Sequence, residues 1–301
     1  MNWLLFSSQQ FEKLDAIEKL ISSNDGKCTI INLEDVASDT VDSSLFSSLN
    51  HTDYGIFNLP SEFLNHKSFL FTLGFVIGKK IPVFVSKNII KSEFVLDLIN
   101  DDLVTDYSDL NNLYNLLEKN LPKYVALEEK KNALKVLFEK GIPFTPDCFS
   151  FQIAKNALDI CELFFKAGMS VDERDSAGTP LLCNAARNGK LDMVQWLLEK
   201  GADIDAVSND RGYSAVMDAV WKSNISIVEL LVNRGANLNF VSRDGQTALI
   251  LATGSENFEI CRILAENGAD PTIKDRMGMS SIDYATLFKK EEILNLYRER
   301  V

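Results

Sequence analysis

The first 120 residues alternate short continuous apolar runs with segments in which apolar residues recur every three or four positions. A short apolar run bounded by polar residues predicts a buried strand, and the longer spacing predicts an amphipathic helix. The predicted strands span residues 3–6, 28–33, 54–59 and 81–85, with a short edge strand at 103–104. The predicted helices span residues 11–21, 69–77, 93–99 and 110–117.

This alternation of strands and helices predicts an α/β domain. Its sheet should be parallel and doubly wound, of the flavodoxin or Rossmann type, because each crossover places a helix on one of the two faces. Such a sheet binds ligands beyond the carboxyl ends of its strands. The first half of the chain is therefore a candidate for binding a small molecule.

From about residue 146 the pattern changes to repeated pairs of helices. In one pair, a short helix around Ala185 and Ala186 precedes a longer helix over residues 191–198. The apolar residues of the longer helix fall on one face. A single pair cannot bury that face, so neighbouring pairs must stack into an all-α solenoid.

A short sequence motif that begins with glycine, which we call the repeated phrase, occurs four times in this second half, and its glycines are 33, 34 and 33 residues apart. The four phrases begin at Gly168, Gly201, Gly235 and Gly268, and a second glycine follows each at Gly178, Gly212, Gly245 and Gly278. The glycine that begins each phrase should adopt a left-handed backbone conformation at the end of a helix. The second glycine should allow the backbone to form a hairpin turn. These motifs resemble the ankyrin repeat, which implies a C-terminal ankyrin-repeat solenoid.

The boundary between the two halves is predicted in the polar, Pro-containing segment 119–124. This gives an α/β domain over residues 1–122 and an ankyrin domain over residues 123–301, with about four repeats and half-repeat caps. A predicted helix at 126–140 is the first cap, and the polar segment 279–301 is the last.

The resemblance to ankyrin repeats implies a concave groove formed by the hairpin tips and the first helices, and we expect a protein partner there. The residue after each pair of small residues, which is Arg187, Trp221 or Gly254, should face this groove. Arg, Tyr and Trp are the residue types that anchor protein interfaces. For Trp221, partial burial against the next repeat is the alternative. The predicted partner-binding residues are Arg174, Arg187, Asn209, Arg211, Tyr213, Trp221, Arg243 and Arg276.

Two segments of the first half, residues 53–59 and 68–83, resemble the nucleoside 2-deoxyribosyltransferase family. The resemblance places Thr72 where that family has its glutamate nucleophile and His66 where it has an aspartate that helps to hold the nucleoside. It also implies a pocket for a nucleoside-like ligand near Asn58, His66 and Thr72. Because threonine is a far weaker nucleophile than a carboxylate, the resemblance implies a domain without catalytic residues that acts as a sensor or scaffold.

The composition and charge of the chain limit the classes of partner that it is expected to bind. The formal net charge is −12, and neither half has more Lys and Arg than Asp and Glu, so nucleic acid and anionic membranes are unfavourable partners. The five cysteines show no metal-ligand spacing and indicate buried thiols in a reducing compartment. His51 and His66 lie apart from any Cys or acidic cluster, and no Gly-rich phosphate loop is present. We expect a cytoplasmic chain without a signal peptide, membrane span, metal or cofactor.

These observations favour a non-enzymatic protein that binds other proteins through its ankyrin groove. One alternative is a nucleoside or nucleotide N-glycosidase or transferase with the repeats as a recruiting arm, which would need a carboxylate such as Asp53 or Glu62 near Thr72. A second alternative, suggested by the acidic charge, is an inhibitor or immunity partner of a basic protein.

Overall fold

The computed structural model of the 301-residue chain describes residues 1–7, 14–32, 43–59, 67–87 and 103–298. These residues form two compact units, which divide between Glu129 and Lys130. The first unit has two apolar clusters and the second has one long continuous cluster. Each unit thus has the apolar core that a domain requires.

The described residues of the first unit form a five-stranded sheet in the order β2-β1-β3-β4-β5, and every neighbouring pair is parallel. The strands are β1 Asn2–Ser7, β2 Lys27–Asn32, β3 Tyr54–Asn58, β4 Val83–Ser86 and β5 Val104–Tyr107. Each predicted strand is confirmed. The order is that of flavodoxin-like sheets, whose ligands bind at the carboxyl ends of β1 and β3.

Helices cover both faces of this sheet. They are α1 Leu14–Ser22, α2 Ser43–Asn50, α3 Lys67–Gly78 and α4 Leu110–Glu139. Successive residues of a strand point to opposite faces. Accordingly, Leu4 packs with residues of α2 and α3, while Leu5 packs with residues of α1 and α4.

The helix predictions for residues 110–117 and 126–140 need one correction, because a single helix, α4, covers both segments and runs through Pro122. Proline normally disfavours a helix interior, since it removes a backbone hydrogen bond. Here Leu117 and Leu121 are buried on one face just before that position, and the ring centre of Tyr124, just after it, lies 4.8 Å from that of Tyr54. Tertiary packing therefore continues across the predicted linker. The predicted helix at 93–99 lies outside the described residues.

The second unit stacks pairs of helices in two rows. The inner row consists of α5 Pro146–Ala154, α7 Leu181–Arg187, α9 Ala215–Trp221, α11 Ala248–Gly254 and α13 Ser281–Leu287. The outer row consists of α6 Leu158–Lys166, α8 Leu191–Glu199, α10 Ile225–Asn233, α12 Phe258–Glu266 and α14 Glu291–Arg298. Inner helices pack on inner helices of the next pair, and from α8 onward the outer helices do the same. The end of α4 adds Ala133 and Leu137 to this core.

The glycines of the repeated phrase take the predicted left-handed conformation. Gly168, Gly201, Gly235 and Gly268 have φ between 83° and 93°. Only glycine adopts this region without a steric penalty from a Cβ atom. The phrase therefore marks the end of each outer helix from α6 to α12.

The Asp or Asn at the fifth position of the first three phrases joins one repeat to the next. The carboxylate of Asp172 accepts the backbone N–H of Asp203 at 2.8 Å, and that of Asp205 accepts the N–H of Asn237 at 2.8 Å. The side chain of Asn239 accepts the N–H of Asp270 at 2.7 Å. These bonds connect neighbouring repeats even though no repeat has the histidine that commonly opens the first helix of an ankyrin repeat.

Candidate functional site

The hairpin tips and the carboxyl-terminal ends of the inner helices meet on one side of the array. We call this surface the groove; it comprises residues 174–178, 209–213, 243–246 and 275–278 of the tips and residues 187, 221, 254 and 287 of the helices. Arg187, at the end of α7, donates a hydrogen bond to Asp210 of a tip at 3.1 Å. Along the stack the helix position carries first an arginine, then a tryptophan, a glycine and a leucine. The helix positions of the groove thus change from charged to apolar along the stack.

The charged part of the groove centres on Arg187. Its guanidinium donates to both carboxylate oxygens of Asp218, at 3.1 and 3.2 Å, and also to Asp210. The Asp218 side chain is 0% exposed, and burial raises its pKa to about 6 although Arg187 and Arg211 act in the opposite direction. The pKa of Asp210 lies well below its usual range: burial acts to raise it, but hydrogen bonds from Ser208, Arg211 and Arg187 outweigh that effect. Arg187 therefore stabilises two carboxylates across a repeat boundary.

The middle of the groove is an aromatic and cationic cluster around Arg211. Its guanidinium lies 4.8 Å from the ring centre of Tyr213 and 5.5 Å from that of Trp221, which are cation–π distances. Tyr213 is only 3% exposed, and its hydroxyl donates to Gln246 at 2.9 Å, so it supports the surface from below. Trp221 is 56% exposed. Trp221 thus presents an aromatic face to solvent.

Arg211 has donors to spare within the described part of the chain. Its nitrogen atoms lie 3.8 Å from oxygens of Asp210 and Asp218, which is an ion-pair distance but longer than a hydrogen bond. Its guanidinium side chain is about one-third exposed. A carboxylate from a partner could therefore accept hydrogen bonds from Arg211 while the arginine stays stacked on Trp221.

The apolar part of the groove contains a cavity of about 410 Å³ beside Trp221. The residues that line it are Trp221, Gln246, Ile250, Leu251, Gly254, Ser255, Tyr284 and Phe288. Its volume falls within the range of ligand pockets, and none of its lining residues is charged. Sequence reasoning placed Trp221 and Gly254 on this surface but missed the rest of the lining. Superimposing the repeats at their 33-residue period would have brought out Ile250 and Phe288.

The remaining predicted groove residues divide into engaged and free side chains. Arg174 donates to the backbone carbonyls of Gly178 and Val207, at 3.1 and 2.7 Å, and so braces two neighbouring hairpins. Asn209 is exposed on the next tip. Arg243 and Arg276 are also exposed at their tips. Arg243 and Arg276 are therefore exposed at the groove, whereas Arg174 is engaged within the array.

The first unit carries a second candidate site at the carboxyl edge of its sheet. Asn58 ends β3, and its amide group contacts Ser7 of β1 at 3.5 Å and the hydroxyl of Tyr107 at 3.3 Å. The Tyr107 hydroxyl also donates to the carbonyl of Phe57 at 2.9 Å, and burial raises the pKa of this tyrosine. Ser86 ends β4 and is buried. A polar cluster thus lies at the switch point of the sheet.

The other predicted pocket residues of this unit do not join that cluster in the described structure. Thr72 lies within α3 and is 0% exposed, so its hydroxyl is not open to a ligand. His66 and Glu62 lie outside the described residues. Asp53 precedes β3, and its carboxylate accepts the N–H of Asn2 at 2.7 Å, which places it at the amino edge of the sheet.

Across residues 1–7, 14–32, 43–59, 67–87 and 103–298, the His, Cys, Asp and Glu side chains form no group of three or more that could hold a metal ion. In the same residues, no helix combines the length and the apolar character needed to cross a bilayer.

Comparison with protein families identifies the repeats. The sequence model of a family described as "Ankyrin repeats (3 copies)" matches residues 149–242 and 216–297. These matches cover the groove and both rows of helices from α5 to α14, apart from the first few residues of α5 and the last residue of α14.

Curated proteins that are similar to parts of this chain include the following three. A "Putative ankyrin repeat-containing protein" of Treponema pallidum (strain Nichols) is 33% identical over 174 residues, which is 58% of this chain and 58% of that protein. The mouse ankyrin repeat and SAM domain-containing protein 6 is 41% identical over 73 residues, 24% of this chain and 8% of that protein. The mouse B-cell lymphoma 3 protein homolog is 37% identical over 86 residues, 29% of this chain and 19% of that protein. The match to the bacterial relative thus spans little more than half of its length, and those to the two mouse proteins span far less.

Proposed function

Residues 149–297 are ankyrin repeats, and on this premise we propose that the chain is a protein-binding protein whose groove holds a protein partner. The observation that carries the proposal is the exposed indole of Trp221, which is held between Arg211 and an apolar cavity. A large aromatic side chain near the centre of a surface, flanked by arginine, is typical of an interface hot spot. Arg187, Arg174 and Tyr213 hold this surface in shape.

Replacing Trp221 with alanine tests the proposal. We expect proteins captured by the full-length chain from the cells that make it to be lost with Trp221→Ala. They should be kept with Phe258→Ala, which removes a comparably exposed aromatic ring from the start of outer helix α12. For a captured partner, the dissociation constant should rise by about 30-fold, corresponding to roughly 2 kcal/mol. Equal capture by both variants would contradict the proposal.

We further propose that the first unit is a ligand-sensing or scaffold domain rather than an enzyme. Its support is the polar cluster of Ser7, Asn58, Ser86 and Tyr107 at the carboxyl edge, together with the burial of Thr72. The resemblance to nucleoside 2-deoxyribosyltransferases makes nucleosides and deoxynucleotides the first compounds to examine. Asn58, whose side chain is fixed by Tyr107, would contact such a ligand.

The experiment is a thermal-shift titration of the full-length chain with nucleosides and deoxynucleotides, with release of the base followed in parallel. A ligand at 100 times its dissociation constant should stabilise the fold by about 2.7 kcal/mol. The stabilisation should be lost with Asn58→Ala and kept with Asn50→Ala, which alters a surface amide at the end of α2. Base release would support the enzymatic alternative instead, and the absence of any shift would leave only the scaffold role.

A further inference from the structure

The cavity beside Trp221 exists because one inner helix ends in glycine. Gly254 occupies the position that holds Arg187, Trp221 and Leu287 in the neighbouring repeats. A Cβ atom built on Gly254 would meet no atom within 4 Å. The missing side chain leaves a gap between Trp221 of the preceding repeat and Phe288 of the following one.

The walls of this gap suit an apolar group. Trp221, Ile250, Leu251 and Phe288 supply aromatic and aliphatic surface, while Gln246 and the other polar lining residues carry no charge. Trp221 and Phe288 are both exposed large apolar residues, as are the nearby Leu287 and Met277. Burial of such surface stabilises a complex in proportion to its area. One large side chain of a partner would bury several of these groups together.

Among the residues that the structure describes, the cationic side chains around the cavity are unpaired, whereas most of the acidic ones are engaged. Its cationic neighbours are Lys222, which follows Trp221, Lys289, which follows Phe288, and Arg243 and Arg276 on the tips. Within the described residues, none of these four side chains forms an ion pair, and Arg211 has free donors as described above.

The acidic neighbours, in contrast, are mostly engaged. Arg187 holds Asp210 and Asp218, and Asp275 accepts the hydroxyl of Tyr284 at 2.7 Å and the N–H of Met277 at 2.8 Å. Asp244, exposed on its tip, is the exception. The side chains available for pairing at this part of the groove are therefore mainly cationic, although the whole chain carries a net charge of −12.

We propose that this cavity receives one large apolar side chain from an acidic peptide segment of a protein partner, whose carboxylates pair with Arg211 and Arg243. The proposal rests on the proposed protein-binding function and adds the chemistry of the partner. Apolar insertion supplies affinity, and the cationic border selects acidic segments over basic ones.

Two substitutions at Gly254 distinguish an effect on the cavity from an effect on folding. Gly254→Leu would fill the gap with a side chain that the next repeat already carries at Leu287. Gly254→Ala adds only a methyl group to open space. Because the residue lies at the end of a helix and has no left-handed backbone, neither change should unfold the array. Gly254→Ala is thus the matched control for Gly254→Leu.

The probe is a display library of random dodecapeptides selected on the full-length chain. We expect the enriched peptides to combine Phe, Leu, Met or Trp with neighbouring Asp or Glu. Affinities can be measured from tryptophan emission, since Trp221 is exposed whereas Trp3 and Trp196 are 1% and 6% exposed. Gly254→Leu should weaken binding by roughly 30-fold, and Gly254→Ala by less than about threefold.

The pairing of partner carboxylates with Arg211 can be tested separately. Arg211→Gln should weaken the enriched acidic peptides by about tenfold and reduce their salt dependence. Arg234→Gln, at an exposed position after α10, should change neither quantity. The melting temperature of each variant distinguishes lost binding from lost folding.

The outcomes discriminate between the proposals. Enrichment of basic or uncharged peptides, or equal binding to Arg211→Gln, would overturn the acidic partner. Peptides that Trp221→Ala loses but Gly254→Leu retains would overturn the cavity while leaving the protein-binding groove intact. Peptides that both variants retain would count against the groove itself, and a library without enrichment would overturn a linear peptide as the occupant.

Discussion

Replacing Arg187 with methionine is expected to lower the free energy of unfolding of the repeat array by about 3 kcal/mol, the lower end of what the loss of one partner of a buried ion pair costs. The variant leaves the fully buried carboxylate of Asp218 without its bidentate partner. Arg211 cannot replace it in the observed geometry, because its nearest nitrogen is 3.8 Å from Asp218. Urea denaturation followed by circular dichroism measures the loss.

The size of this loss should depend on pH in a defined direction. In the folded chain burial raises the pKa of Asp218 to about 6, so between about pH 4 and pH 6 the folded state holds a proton that the unfolded state has released. The stability from this protonation is present at low pH and is lost as the pH rises through about 6. Without Arg187 the pKa of Asp218 should rise further, since a favourable charge is gone. The penalty of Arg187→Met should therefore be larger at pH 8 than at pH 5.5.

Two further variants show whether charge is the cause. Arg234→Met removes an exposed arginine after α10 and should cost less than about 0.5 kcal/mol. The double change Arg187→Met with Asp218→Leu removes both partners and should recover most of the stability, because no buried charge is left unpaired. If the double variant were as unstable as Arg187→Met, the role of Arg187 would lie in packing rather than in charge pairing.

The strands of the first unit could be predicted because each is a buried apolar run between polar segments. The two differences in its helices have separate physical causes. Helix α2, Ser43–Asn50, is rich in serine and has too few apolar positions to show a helical period, so its sequence does not distinguish it from a loop. Pro122 predicts a break by local chemistry, but the burial of Leu121 and the packing of the half-buried Tyr124 ring on Trp3 outweigh that preference.

The groove was predictable in outline because its residues recur at a fixed period. The sequence placed Arg187, Arg211 and Trp221 on one surface, as the structure does. It did not show that Arg187 is engaged by Asp218, because that contact joins residues 31 positions apart in neighbouring repeats. Nor did it show that Tyr213 is covered, since side-chain depth depends on the packing of the next hairpin. The position of a residue along its repeat follows from the local sequence, whereas its exposure depends on how neighbouring repeats pack.

Contacts between hairpins also limit which residues can replace Gly245. Gly245→Ala is expected to destabilise the array by roughly 3 kcal/mol, through a left-handed backbone and an overpacked contact together. Gly245 has φ of 81°, and an added Cβ would lie 2.6 Å from the backbone nitrogen of Arg276 in the next repeat. Backbone cannot yield as a flexible side chain can, so the two hairpins must separate.

Gly268→Ala is the matched control for this effect. Its φ is 93°, but an added Cβ would meet nothing within 4 Å, so it should cost only the backbone strain of about 1–2 kcal/mol. Equal losses in the two variants would show that the close approach to Arg276 carries no free energy.

Separation of the hairpins should also weaken the hydrogen bond from the Arg276 N–H to the carbonyl of Asp244. Because Tyr284 and Phe288 lie beyond that junction, Gly245→Ala should expose α13 and α14 to hydrogen exchange and open the cavity beside Trp221, whereas Gly268→Ala should leave the cavity intact.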